Sequence, residues 1–251
     1  MPRFARRRFA RKPKRSYRKR NSRFRSRFSR RRGMTSMRSR TTVAPDTAFT
    51  KLKFYDSLYR NGPMAPNATL AANFASGRII RGNDLYDPLS TSGTNQPTGF
   101  DQWCTQTGLY NQFVVHGCKI RYEFINLSTT AALDISVYPL MEGNAVITGI
   151  SGPNQPYVTN ALCGTGSGQN KVVIKKFMKT KKMVGIKDLS DFTGARGQYN
   201  ALPALEYIWD WASDVAPVGS DIANPSYIVK REVTYYVQFL TRPTVVISTN
   251  A

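Results

Sequence analysis

The chain has 251 residues, with 37 Lys or Arg against 15 Asp or Glu and a formal charge of +22. That length suits one large domain or two small ones. No run approaches the roughly 20 apolar residues needed to cross a bilayer, so no membrane insertion is expected.

The charge is concentrated at one end. Residues 1–40 hold 19 of the bases and no acid, which leaves 18 bases against 15 acids in the remainder, a net of only +3. The arm carries Arg3, Arg6-Arg7-Arg8, Arg11-Lys12, Lys14-Arg15 and Arg18-Lys19-Arg20, then Arg23, Arg25, Arg27 and Arg30-Arg31-Arg32. A block of like charge repels itself and cannot bury a core, so it is expected to stay disordered until it meets a polyanion. Most of its bases are Arg, whose planar fork matches phosphate oxygens. Phe4, Phe9, Tyr17, Phe24 and Phe28 are interleaved with them, which suits the stacking of unpaired bases. These seventeen Arg and Lys side chains are the candidate nucleic-acid-binding residues. The clusters from Arg6 to Arg20 (Arg6, Arg7, Arg8, Arg11, Lys12, Lys14, Arg15, Arg18, Lys19 and Arg20) also suit a nuclear-import signal. A disordered arm cannot hold side chains against particular base edges, so binding by charge is expected. The start of the chain is charged where a secretory signal carries its apolar stretch, so export by that route is not expected.

Pro45 marks the end of the arm and Asp46 is the first acid, which divides the chain into an arm, 1–45, and a body, 46–251. In chain order, weak strand signals cover Lys51 to Leu58 and Phe74 to Arg81, followed by a polar loop from Asp87 to Gly99. A short helix is expected within Gly99 to Tyr110. From Cys118 to Phe124 apolar residues alternate with charged ones, the pattern of a half-buried strand. Asn126 to Thr130 supplies a turn, and Leu133, Ile135 and Val137 alternate in the next strand. A loop is expected from Gly149 to Gly168, a strand from Lys171 to Lys179, a helix from Pro203 to Trp211 and a loop from Ala212 to Pro225. The longest alternation puts Tyr227, Val229, Val233, Tyr235, Val237 and Phe239 on one face, with Arg231 the exception among them. A last weak strand covers Thr244 to Ser248. Many strands, long loops and almost no helix predict an all-β fold, a single jelly-roll β-sandwich of two antiparallel sheets behind the disordered Arg-rich arm.

No catalytic site, metal site or cofactor is expected. Gly164 to Gly168 lacks the Gly-Lys-Ser/Thr of a phosphate loop and predicts a flexible loop. His116, the single histidine, is expected to pack on the same face as Cys118, with no triad or zinc set beside it. The acid pairs Asp84/Asp87, Asp188/Asp191 and Asp210/Asp214 read as turn and cap residues. Cys104, Cys118 and Cys163 are expected as small buried apolar residues. The sequons at Asn67 and Asn126 carry no weight without a secretory route.

Two stretches carry a resemblance. The first is Tyr86-Asp87-Pro88 with Gln96-Pro97-Thr98-Gly99-Phe100-Asp101-Gln102-Trp103, Leu109-Tyr110 and Val115-His116-Gly117-Cys118-Lys119-Ile120. The second is Val233-Thr234-Tyr235-Tyr236-Val237-Gln238-Phe239. With the Arg-rich start, they resemble the capsid proteins of small circular single-stranded DNA viruses, the circovirus-like group. The resemblance spans the chain but leaves Gly143 to Gly168 and Thr193 to Pro225 unmatched. It implies a jelly roll assembled as a homo-oligomeric icosahedral shell, and the simplest such closed shell uses about sixty copies. It further implies an arm against the viral single-stranded DNA genome, a host import receptor, a host attachment factor met by surface loops, and residence in the virion and the host nucleus. Trp103, Trp209 and Trp211 are candidates for contacts between copies, with burial in the core as the other role. The competing readings are an RNA-virus coat protein, a non-capsid nucleic-acid-binding protein and, least supported, an enzyme with a basic tail.

Overall fold

The computed structural model describes residues 46–64, 72, 75–89, 95–106, 108–141, 157–216 and 225–241. The arm, the sequon at Asn67 and the expected strand Thr244 to Ser248 lie outside them. The described residues form β1 (Ala48–Asn61), β2 (Ile80–Arg81), β3 (Gln112–Asn126), β4 (Ala132–Met141), β5 (Thr159–Cys163), β6 (Lys171–Lys179), β7 (Arg196–Gln198), β8 (Tyr207–Ala216) and β9 (Ser226–Leu240). Two helices of about one turn, α1 (Phe100–Trp103) and α2 (Thr180–Val184), punctuate them.

All pairings between the described strands are antiparallel. One sheet has the order β1-β9-β3-β6, with β7 added beside the start of β3; the other has the order β2-β8-β4-β5. Consecutive main strands therefore switch sheets, except β4 and β5, which pair directly. A five-stranded and a four-stranded sheet linked in this way make a jelly roll.

The alternation read from the sequence places the core between the sheets. Val229, Val233, Tyr235, Val237 and Phe239 of β9 and Ile120, Tyr122 and Phe124 of β3 meet Leu133, Ile135 and Val137 of β4 and Trp209 and Trp211 of β8. Phe124 and Trp211 meet edge to face at 5.4 Å, and the Tyr227 hydroxyl lies 2.7 Å from that of Ser213 across the gap. Arg231 faces inward as the alternation requires. Its buried guanidinium pairs with Asp56, its register partner on β1, and donates to the Gly77 carbonyl at 2.5 Å. The two stretches that carry the resemblance touch: Trp103 stacks on Phe239 at 5.4 Å, and Tyr110 lies against both rings.

Several expectations are corrected. The predicted helix Pro203 to Trp211 is instead the approach to β8 and its first half, and β8 takes the first five residues of the loop predicted from Ala212. Tyr207, Trp209 and Trp211 enter the core while Ile208 and Asp210 are buried on the opposite face, so burial on both sides conceals the two-residue period. Trp209 and Trp211 are core residues and offer no surface to another copy. The predicted loop Gly149 to Gly168 contains the edge strand β5, and among the described residues of the predicted strand Phe74 to Arg81 only Ile80 and Arg81 pair. Around Gly99 to Tyr110 the helix is confined to α1, opened by Gly99 at φ 85°.

Candidate functional site

The arm residues singled out for nucleic acid and nuclear import lie outside the described residues. Those singled out in the body have structural roles. Cys104, Cys118 and Cys163 are free, buried thiols, and burial pushes Cys104 up to about 12. His116 does not share the face of Cys118. The register against β9 skips a residue between Val115 and Gly117, a bulge that returns Cys118 to the core and turns His116 outward. Its Nε2 lies 2.7 Å from Gln238 Oε1, and its ring packs 5.7 Å from Phe49. The Gly164 to Gly168 loop closes through backbone bonds between Gly164 and Gln169 and between Gln169 and Gly166. Asn126 is buried and structural: its side chain donates to the carbonyls of Ala131 (2.8 Å) and Gly164 (3.1 Å).

The acid pairs separate on inspection. Asp188 caps a turn, accepting from the Ser190 amide and hydroxyl. Asp84 also accepts two turn amides, but it is buried together with Asp87 and Glu206 around Arg81. Burial pushes its carboxyl up to about 6 against the pull of that guanidinium. Asp210 is a strand residue held by Arg78 at 2.6 Å and by the Tyr138 hydroxyl at 3.1 Å, all of them buried. Burial raises its carboxyl too, with Arg78 acting against that. Turn chemistry accounts for Asp188 and, together with the ion pair to Arg81, for Asp84; ion pairing accounts for Asp87 and Asp210.

A surface that no sequence motif announced appears on the outer side of the β1-β9-β3-β6 sheet. The registers lay it out in rows across four strands. Lys51, Tyr236, Gly117 and Lys179 form one row; Lys53, Thr234, Lys119 and Phe177 form the next. Tyr55, Glu232, Arg121 and Lys175 follow, then Ser57, Lys230, Glu123 and Val173, and finally Tyr59, Ile228, Ile125 and Lys171. Phe49 stands beyond the first row, opposite Gln238. Among the described residues this face carries eight Lys or Arg against two Glu. The two acids are neutralised locally: Glu232 by Lys53 at 3.4 Å, and Glu123 by Lys171 at 2.8 Å and Arg121 at 2.7 Å. Lys171 and Arg121 hold the Glu123 carboxyl below the usual range. Lys51, Lys119, Lys175, Lys179 and Lys230 make no ion pair with a described residue.

Aromatic rings stand between these cations. Phe49 is 70% exposed, Tyr55 and Tyr59 are each 59% exposed, and Phe177 is 50% exposed. Lys51 Nζ lies 5.3 Å over the Tyr236 ring, and Phe177 meets that ring edge-on at 5.6 Å. Two shallow depressions mark the face, one beside Tyr55, Arg121 and Lys230 and one beside Phe49, Lys51 and Tyr236. Lysines that are tens of residues apart in sequence meet here only through strand pairing, which is why the linear reading passed over them. The signal available in the sequence was the set of bases on the outer phase of each alternating strand: Lys51 and Lys53, Lys119 and Arg121, and Lys175 and Lys179. No described helix is long and apolar enough to cross a membrane.

No protein-family model and no curated protein sequence matches the chain. Among solved structures it is similar to Desmodium yellow mottle tymovirus at 7% identity and a TM-score of 0.35, over 81% of this chain and 88% of that one. It is similar to the semi-empty particle of the giant freshwater prawn (Macrobrachium rosenbergii) nodavirus at 12% identity and a TM-score of 0.35, over 81% of this chain and 100% of that one. It is also similar to Mud crab tombus-like virus at 10% identity and a TM-score of 0.38, over 81% and 86% of the two chains. At these scores the assignment of the jelly roll rests on the strand order itself.

Proposed function

We propose that the protein is the structural, non-catalytic coat protein of a small virus with a circular single-stranded DNA genome. About sixty copies close an icosahedral shell. The arm lies against the genome, and its clusters from Arg6 to Arg20 also engage a host import receptor, so that assembly takes place in the host nucleus. Surface loops meet a host attachment factor. The observation that carries this reading is the division of one chain into an acid-free cationic arm and a jelly-roll body. A run this basic and free of acids has polyanion neutralisation as its physical use, and the body supplies sheets and loops to join copies.

The charge balance agrees. Sixty arms of 19 bases carry on the order of 1,100 positive charges, each able to displace a counterion from phosphate. That neutralises much of a genome of roughly one to two thousand nucleotides. The resemblance in Gln96 to Trp103 and Val233 to Phe239 favours DNA as the cargo, since the arm itself is blind to the sugar.

Negative-stain electron microscopy of the purified full-length protein tests the assembly. Uniform spheres of roughly 20 nm are expected, the scale of about sixty closed copies. Small monodisperse particles that persist when single-stranded DNA is added would replace the shell with a nucleic-acid-binding module. Digestion of copurified material tests the cargo: DNase sensitivity is expected, and RNase-sensitive, DNase-resistant material would turn the reading to an RNA-virus coat protein. Deleting residues 1–40 is expected to leave the β-sheet circular dichroism intact and abolish packaging.

A further inference from the structure

We propose that the outer face of the β1-β9-β3-β6 sheet is a second nucleic-acid contact, binding single-stranded nucleic acid without regard to sequence. This assigns a site to the body itself. It goes beyond the coat-protein reading because it requires no shell.

Charge is the first support. The two acids of the face are each held by its own bases, so Lys51, Lys119, Lys175, Lys179 and Lys230 remain to meet an external anion. They are spread over all four strands, which suits an extended polyanion better than a small one. Strands lie about 4.8 Å apart and alternate residues about 7 Å apart, so the face spans roughly 14 Å by 30 Å. Several linked phosphates fit across it.

The rings are the second support, and they decide the class of partner. Phe49, Tyr55, Tyr59 and Phe177 leave half or more of their surface in water, although aromatic burial is among the larger sources of stability in a fold. A protein partner would cover such rings, but protein interface cores are depleted in lysine, and here Phe177 stands beside Lys119 while the rows of Tyr55 and Tyr59 end in Lys175 and Lys171. Unpaired bases match the mixture, because each has a face to stack on a ring while its phosphate meets a lysine. A duplex hides those faces. The depressions are shallow and open, with no enclosed set of polar groups to read a base edge, so preference among bases is not expected.

The test uses the full-length protein with three probes: a thirty-nucleotide oligo-dT, an abasic single strand of equal length, and heparin. Tyr55→Ala/Tyr59→Ala/Phe177→Ala is expected to weaken oligo-dT binding about tenfold or more and to leave the abasic strand unchanged. Lys51→Glu/Lys119→Glu/Lys175→Glu/Lys230→Glu is expected to weaken both strands and to reduce the salt slope by about three, from four lost phosphate contacts. These positions are exposed, and an unchanged urea midpoint and circular dichroism spectrum establish that each variant is folded. Ultraviolet crosslinking of a bromodeoxyuridine strand is expected to mark peptides of β1 and β6. Crosslinks confined to residues 1–45, or oligo-dT binding untouched by the ring variant, would overturn the proposal. So would a charge-reversal variant that lost heparin alone, which would make the face a site for sulfated polysaccharide. Micrographs of the same samples keep the two readings apart: shells without these crosslinks sink the face alone, and crosslinks without shells sink the coat-protein reading alone.

Discussion

The outer faces of the two sheets are built on the same alternating strands and have opposite characters. On the β1-β9-β3-β6 sheet the outward positions carry lysines and half-exposed rings, open to water. On the β2-β8-β4-β5 sheet, Asp134 stands directly opposite Asp214, and Asp210 is sealed beneath Arg78, with Ile79 packed beside Ile208. The body's net of +3 therefore conceals a basic face of eight Lys or Arg against two Glu, while Asp134 and Asp214 make the outer face of the other sheet acidic. Electrostatic function follows where charges are placed more than how they sum. The same two faces also separate ion pairs by burial. Arg78–Asp210 is fully enclosed, so either partner alone would be a buried uncompensated charge; Lys53–Glu232 lies in water, where solvent screens it.

That contrast can be broken at its strongest point first. Arg78→Ala is expected to destabilise the body by about 3–5 kcal/mol by leaving Asp210 buried and unpaired, read as a fall in the urea midpoint. Lys53→Ala should leave the midpoint where it is. Equal effects from the two variants would mean that burial does not separate the faces.

Acid should act in opposite directions on two carboxyls. Asp84 is raised to about 6 when folded against an ordinary value of 3.8, so the folded state binds the proton more tightly than the unfolded chain. Its unfavourable contribution is complete above pH 6 and is relieved as pH falls toward 4, by about 3 kcal/mol at 1.36 kcal/mol per unit. Asp84→Asn is expected to remove that component from urea midpoints measured at pH 7 and pH 5. Glu123, held low by Lys171 and Arg121, has the opposite sign: its contribution is present above its unfolded value and is lost as pH falls through its folded one. Glu123→Gln should therefore weaken the protein at pH 7 more than at pH 4.

A smaller effect lies at the bulge. A Cβ on Gly117 would meet the Phe177 ring at 2.9 Å and the Met178 carbonyl at 3.0 Å. Gly117→Ala is expected to cost about 1–3 kcal/mol through overpacking, and to displace the Phe177 ring, visible in its aromatic proton shifts. Smallest is the acidic face, where Asp134→Asn should stabilise by about 0.5 kcal/mol by relieving like charges on paired positions while oligo-dT affinity stays constant. A change in that affinity would show that the two faces are not independent.

Much of the architecture is legible in the sequence because its signals are local. The two-residue period of Cys118 to Phe124, Leu133 to Val137 and Tyr227 to Phe239 records one buried and one wet face, and those residues stand in the core as read. The polar run Asn126 to Thr130 is a turn for a local reason as well, since the Asn126 side chain bonds within five residues of itself. The division of charge between residues 1–40 and the remainder needs no structure. The tertiary structure decided the rest. β8 is a strand because both of its faces find cover, which erases the period that would have announced it. His116 faces outward because one extra residue in β3 shifts the register against β9. Arg231 is tolerated among apolar neighbours because pairing brings Asp56 to it from the far end of the body. The basic face exists only once β1, β3, β6 and β9 lie side by side, since strand register sets the distances between these lysines and sequence separation does not.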